Sequence, residues 1–278
     1  MRQWALTAFL LFSVERQASA QDELSLSDVL QARSYAMGGA FRAAGAGIDA
    51  IEGSPASIAA SRRYQVQLGG GWDFTSHFGS ASAGVIDSTD PGLAAGMVYH
   101  IATLGRGDNH RIFHLTSLAL ALPISDAFAL AISGHYVVES GLRSANAVTG
   151  DAGLMIRPVS FLSFAVTAHN LVDIRNADVT RYYSVGSALL LGPFNFSADL
   201  KSDLGLTSRQ LAFGLGAEFV LGITAFRGGY ARNNRTQSSY LSGGLGLFGD
   251  GAGLDIGYRQ EVGGTHSRLL SLSFQIRN

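Results

Sequence analysis

The chain has 278 residues, no cysteine and a formal net charge of −1, which excludes disulfides and offers no basic face for nucleic acid. Hydrophobic residues make up 47% and charged residues only 15%, whereas soluble domains carry about 25% charge. Despite a mean hydropathy of +0.19, no stretch beyond the leader approaches the roughly 18 uninterrupted apolar residues of a membrane helix.

Residues 1–20 read as a signal peptide. Arg2 supplies positive charge, Trp4 to Val14 is an apolar run, and Ala18-Ser19-Ala20 is a small-x-small cleavage site. Gln21 follows and cysteine is absent, so a lipid-anchored lipoprotein is not expected.

Residues 21–62 do not alternate. Leu24 to Ala32 suits a short helix with Ser27 as its N-cap. From Ala32 to Ala56 the chain is mostly Gly and Ala, interrupted by Tyr35, Met37, Phe41, Ile48 and Ile51. Such a thin peptide suits the inside of a small-residue lumen, because Gly and Ala let backbones approach closely. A periplasmic linker is the bland alternative, although linkers favour polar composition.

From Tyr64 to Arg277 the pattern has period two, in units of about ten residues. The last unit places Leu270, Leu272, Phe274 and Ile276 on one face and Ser271, Ser273, Gln275 and Arg277 on the other. Alternation of that length marks strands with two different environments. The parity opposite the apolar one is mostly Gly, Ala and Ser, as a lumen would be and a water-facing sheet would not. Pro91, Pro123, Pro158 and Pro193 recur every 32 to 35 residues. Proline cannot donate to a ladder, so each is expected in a short connection. Longer polar loops are expected opposite them, over Gly105–Arg111, Glu139–Asn146, Asp173–Arg181, Lys201–Ser208, Ala231–Gln237 and Gln260–His266. About fourteen antiparallel strands result, with short turns at one end and longer loops at the other, as in outer-membrane barrels. Trp72, Tyr183, Tyr230 and Tyr258 fall where interfacial aromatics lie. The strand Ile112–Leu122 switches parity between Leu115 and Leu118, for which a bulge is expected. A propeller would need four short strands per period rather than two long ones.

The charges on the inward parity are Asp151, Arg157, Asp199, Lys201, Glu218, Arg227, Asp255 and Arg259. They are expected to pair across the lumen, with Arg33 or Arg42 of the N-terminal segment meeting one of the carboxylates. Catalytic signatures are weak. Gly244-Leu245-Gly246-Leu247-Phe248-Gly249 satisfies G-x-G-x-x-G but lies in an alternating strand, which contradicts nucleotide binding. His110 and His114 lack further ligands for a metal, and no Gly-x-Ser-x-Gly elbow is present. A triad assembled from separate strands would leave no trace in the sequence. No enzyme activity, metal or cofactor is expected.

Arg33, Met37-Gly38-Gly39-Ala40, Asp49-Ala50 and Ser54-Pro55-Ala56 resemble the N-terminal signature of FadL-type outer-membrane proteins, which include PorV-like barrels. Ser54 stands where the family has Asn, and Ser57 where it usually has Gly. The resemblance implies an all-β transmembrane barrel of about 14 strands over residues 63–278, with a hatch over residues 21–62 filling the lumen. It implies hatch or gating roles for Arg33, Met37, Gly38, Gly39, Phe41, Arg42, Asp49, Ser54 and Pro55. It further implies passive passage of hydrophobic compounds such as fatty acids across the outer membrane of a Gram-negative bacterium, with lipid around the barrel and a hydrophobic small molecule as ligand. The alternative is a PorV-like adaptor that docks secretion partners and transports nothing.

Overall fold

A computed structural model describes residues 29–278 except 46, 106–109, 142–143, 173–180, 204–209, 235 and 265. The expected leader and most of the Leu24–Ala32 helix lie outside the described residues. Fourteen strands run β1 (Tyr64–Asp73), β2 (Gly79–Asp87), β3 (Ala94–Leu104), β4 (Arg111–Ser125), β5 (Phe128–Gly141), β6 (Ala145–Val159) and β7 (Leu162–His169). They continue as β8 (Tyr182–Leu191), β9 (Phe194–Asp203), β10 (Gln210–Leu221), β11 (Thr224–Asn233), β12 (Ser238–Phe248), β13 (Ala252–Glu261) and β14 (Arg268–Arg277). Each strand pairs antiparallel with its sequence neighbours, and β1 pairs with β14 from Gln65–Arg277 to Asp73–Leu269. The sheet is therefore a closed barrel without an edge.

Connections at one rim are short: 88–93, 126–127, 160–161, 192–193, 222–223 and 249–251. The opposite, loop rim carries 74–78, 105–110, 142–144, 170–181, 204–209, 234–237 and 262–267. The expected loops over 139–146 and 260–266 are shorter than drawn from sequence, because β5, β6 and β13 extend into them. Two prolines also depart from expectation. Pro123 and Pro158 lie inside β4 and β6, where the register with the partner strand shifts near the strand end. A shifted register leaves the missing N–H without a ladder partner to disappoint. Pro91 and Pro193 do lie in connections.

Alternation holds along the barrel, with one parity buried and the other presenting residues such as Leu118, Leu120, Leu122 and Ile132 outward. The expected bulge in β4 is absent, since its register with β3 and β5 is unbroken from Arg111 to Leu122. Phe113 and Leu115 instead point inward and are buried. Phe113 joins Val29, Tyr35, Phe78, Ala102 and Leu269 in an apolar cluster inside the loop half. The parity switch thus reflects a change in what the lumen holds at that height.

Residues 29–62 account for that filling. Helix α1 (Ala32–Ala36) contacts β11 to β14 and β1. Helix α2 (Asp49–Gly53) and the 3₁₀ turn Pro55–Ala60 contact the strands from β3 to β7. Ile48, Ile51, Ala56 and Ile58 form a second apolar cluster with Ile86, Val98, Ala119, Ala121 and Met155. Each large aliphatic side chain so buried contributes about 1.5–3 kcal/mol. A barrel closed in this way resists SDS, so an unboiled sample should run at a different position from a boiled one on a gel. Identical mobility would contradict closure.

Candidate functional site

The segment lies directly on the wall at Met37-Gly38. Gly38 has φ +64, and a Cβ there would come within 2.8 Å of the Tyr230 and Leu215 backbone. Across from it, Gly214, Gly216 and Gly229 face inward on β10 and β11, and a Cβ on any of them would strike the Met37–Gly38 backbone. Small residues on both sides therefore let backbone lie on backbone, which larger side chains would forbid.

Two arginines, Arg42 buried and Arg33 partly so, tie this segment to the strands. Arg33 gives Nε and Nη2 to the two Glu218 oxygens at 3.0 and 2.8 Å. Glu218 also accepts from Arg227 Nε at 2.5 Å, and Arg227 Nη1 reaches Asp255 at 2.6 Å. Gln275 continues the chain to Asp255 and to Gln65. Burial alone would lower the Arg33 guanidinium, but Glu218, with Asp255 and Asp49 farther off, holds it above its ordinary value. The second arginine meets Asp199, whose Oδ2 accepts the backbone N–H groups of Phe41 and Arg42 at 3.0 and 3.1 Å and Arg42 Nη1 at 2.9 Å. Both side chains are all but fully buried, so removing either one leaves the other as an uncompensated buried group.

The opposite half of the lumen carries a belt built on histidine. His100 Nε2 lies 3.2 Å from Glu52 Oε2, and Glu52 Oε1 accepts the Ser117 hydroxyl at 2.7 Å. Ser117 Oγ lies 2.8 Å from His135 Nδ1, and His135 Nε2 lies 3.1 Å from Asp151 Oδ2. The same oxygen is 2.8 Å from His169 Nδ1, and His169 Nε2 is 2.8 Å from Ser184 Oγ. Glu52 comes from α2; the other six come from β3 to β8, so the segment is a link in a belt of the wall. Burial alone would raise Glu52, but His100 and His135 with the Ser117 hydroxyl hold it below its ordinary value. Asp49 behaves oppositely. It accepts the Gln31 backbone N–H with both oxygens at 3.1 and 3.0 Å, yet burial pushes its carboxyl up to about 7.

The other residues singled out by sequence take separate places. Phe41 packs on Gly53 and under the Arg42 guanidinium, whose carbon lies 4.9 Å from the ring centre. Ser54 caps the 3₁₀ turn through its backbone oxygen, which accepts from Ser57, and Pro55 abuts Gly153. Arg157 donates to the Ala60 carbonyl at 2.9 Å, and Arg259 lies between the rings of Tyr35 and Tyr240. Lys201 stands opposite Ser184 in the β8–β9 register. The eight inward charges thus form several local groups rather than one network. His114 pairs with Tyr99 on the outer parity, and no three ligating side chains converge among the described residues. Sequence reading passed over His100, His135 and His169 as a set, although they recur at spacings of 35 and 34 residues, the hairpin period itself.

No family model and no curated protein matches the chain. Solved structures do. The CymD monoaromatic hydrocarbon channel superposes with TM-score 0.74 at 13% identity, covering 92% of this chain and 98% of its own. The fold is that of the FadL-type channels. The Ralstonia pickettii toluene transporter TbuX gives TM-score 0.74 at 14% identity over 91% of this chain and 99% of its own. A Pseudomonas aeruginosa FadL homologue gives 0.65 at 10% identity over 90% and 98%. At these identities the likeness to FadL-type channels is one of fold.

Two outcomes follow from these buried contacts. Arg42→Ala leaves Asp199 buried without its partner and should cost about 3–5 kcal/mol, seen as a lower urea midpoint of the refolded barrel. The double variant R42A/D199A should recover most of that loss. Asp49 binds its proton more tightly folded than unfolded, so it adds stability as pH falls from about 7 toward the ordinary carboxylate range. Arg33, Glu52 and His100 face it from α1, α2 and β3. Between pH 8 and pH 5 the midpoint of the wild type should gain more than that of Asp49→Asn; equal gains would rule the assignment out.

Proposed function

We propose that the chain is an outer-membrane channel for small hydrophobic compounds, with residues 29–62 acting as its hatch. The observation that carries this reading is how the segment is held. Backbone contacts at Met37–Gly38 and two arginine–carboxylate pairs fix it, and its own Val29 and Tyr35 join an inward apolar cluster on the loop side. A water-filled pore would line that region with polar groups. Here Phe78, Ala102, Phe113 and Leu269 are covered by Val29 and Tyr35 of the segment, so that lifting the segment would bare an apolar surface suited to an uncharged hydrocarbon. The outward parity, with Leu118, Ile132, Phe196 and Leu272, suits acyl chains. Longer loops at one rim orient that rim to the outside of the cell.

CymD is a monoaromatic hydrocarbon channel and TbuX a toluene transporter, and we infer cargo of that class here. Arg33 and Arg42 are the natural release points. Parting them from Glu218 and Asp199 separates the segment from the wall at two places, while the apolar face of α2 stays in its cluster.

Uptake of labelled toluene by cells displaying the protein should exceed uptake by cells carrying an empty vector. The variant R33A/R42A should raise it severalfold, with no gain for a sugar of similar size. Uptake equal to the empty vector in both proteins would overturn the channel reading.

A further inference from the structure

We propose that Ser184, His169 and Asp151 form a nucleophile–base–acid relay on the inner wall, able to hydrolyse small apolar carboxylic esters that reach the lumen. Ser184 Oγ is 2.8 Å from His169 Nε2, and His169 Nδ1 is 2.8 Å from Asp151 Oδ2. Asp151 Oδ1 accepts the Asn170 backbone N–H at 2.9 Å. An ionised carboxylate only accepts, so the imidazole proton sits on Nδ1 and the Nε2 lone pair faces the serine hydroxyl. That tautomer is the one a general base needs. The Tyr182 ring stacks on His169 with centres 4.1 Å apart and fixes its plane. His135 holds the same Asp151 oxygen from the other side at 3.1 Å.

Unpartnered polar atoms also lie near the serine, as they do elsewhere in the lumen. Thr167, the register partner of Ser184, has a buried hydroxyl without a hydrogen-bond partner. Arg42 is buried with Nε and Nη2 unpartnered. These two nitrogens form the side-on edge of the guanidinium, the edge that takes two oxygens at once. Its Cβ lies against Gly186, two residues from Ser184 on the same face. The spare Thr167 hydroxyl at the serine's own register position is a donor that a developing oxyanion could use, and Arg42 belongs to the stretch lying over Gly186. The charged and titratable groups around His169 are Asp151 on β6, His135 on β5, Arg42 on the N-terminal segment and Lys201 on β9.

In the reaction, Ser184 Oγ attacks the ester carbonyl carbon as its proton passes to His169 Nε2. The bond to the alcohol oxygen then breaks, and the leaving alkoxide takes that proton. Water attacks the acyl-serine with the same base, releasing the carboxylic acid and restoring the hydroxyl. The net change is ester plus water to acid plus alcohol. Ser184 is 1% exposed, and the Arg42–Ala43 stretch covers the wall beside it through Gly186 and Ser163. Substrate therefore arrives when that stretch lifts, which does not require passage through the barrel.

The test uses the full refolded barrel in detergent, with a small alkyl fluorophosphonate and p-nitrophenyl butyrate as probes. The expected result is a phosphonyl adduct mapped to Ser184 by peptide mass spectrometry, with ester hydrolysis lost in Ser184→Ala and lowered about 10²–10⁴-fold in His169→Asn. Gel mobility before boiling reports that each variant is folded; if S184A fails to fold, the wild-type adduct decides. Asp151→Asn favours the wrong tautomer and should slow hydrolysis about 10⁴-fold. Its residual rate should keep rising with hydroxide where the wild type levels off, which a merely structural role would not produce. Arg33→Ala loosens the segment without touching the relay, and separates a covered serine from an unreactive one. No Ser184 adduct in either the wild type or R33A, or hydrolysis unchanged in S184A, would overturn the proposal.

Discussion

Closure of β1 on β14 is the constraint on which the rest depends. Hydrocarbon offers no partner for a bare N–H or C=O, so a sheet can cross a bilayer only when its ladder has no edge. Closure also gives every strand an outside and an inside. The outer parity can then be uniformly apolar, and the inner parity is free to hold polar and small residues. With no disulfide possible, the ladder, and whatever fills its interior, must supply the stability.

What fills it is the chain's own N-terminal segment, and the sequence treats the two surfaces together. Gly38 lies on the β10–β11 backbone because Gly214, Gly216 and Gly229 leave room. Attachment is then concentrated in charged pairs whose partners are far apart in the chain, such as Arg33 with Glu218 and Arg42 with Asp199. Buried pairs of this kind add little net stability compared with apolar packing, but they punish the loss of one partner. That suits a contact meant to be either made or wholly released.

The lumen divides by chemistry as well as by position. From β9 to β14 its linked side chains are mainly guanidinium, carboxylate and amide, with single serine hydroxyls between them. From β3 to β8 a continuous run of imidazole, hydroxyl and carboxylate stands beside the Arg111–Glu139 pair. Glu52 brings the N-terminal segment into the second half, and Arg33 and Arg42 tie it to the first. One segment thus reads both halves.

Local periodicity made the barrel legible. Alternation, hairpin spacing and small inward residues are properties of neighbours in sequence, and they gave strand number, parity and the two unlike rims. Parity in β4 looks broken in sequence because inward Phe113 answers to Val29 and Tyr35, more than 75 positions away, rather than to its neighbours. Pro123 and Pro158 were placed in turns because a missing N–H looks like a break, when a shifted register absorbs it. The arginines were recognisable as candidates; their partners were not, since pairing depends on height and azimuth in the barrel. The Ser184–His169–Asp151 line shows the limit most plainly. Sequence alone determined that these three side chains point inward, because a strand's parity is local. Only the tertiary structure decided that they touch, because contact across three strands is set by register, and register is fixed by closure of the whole sheet.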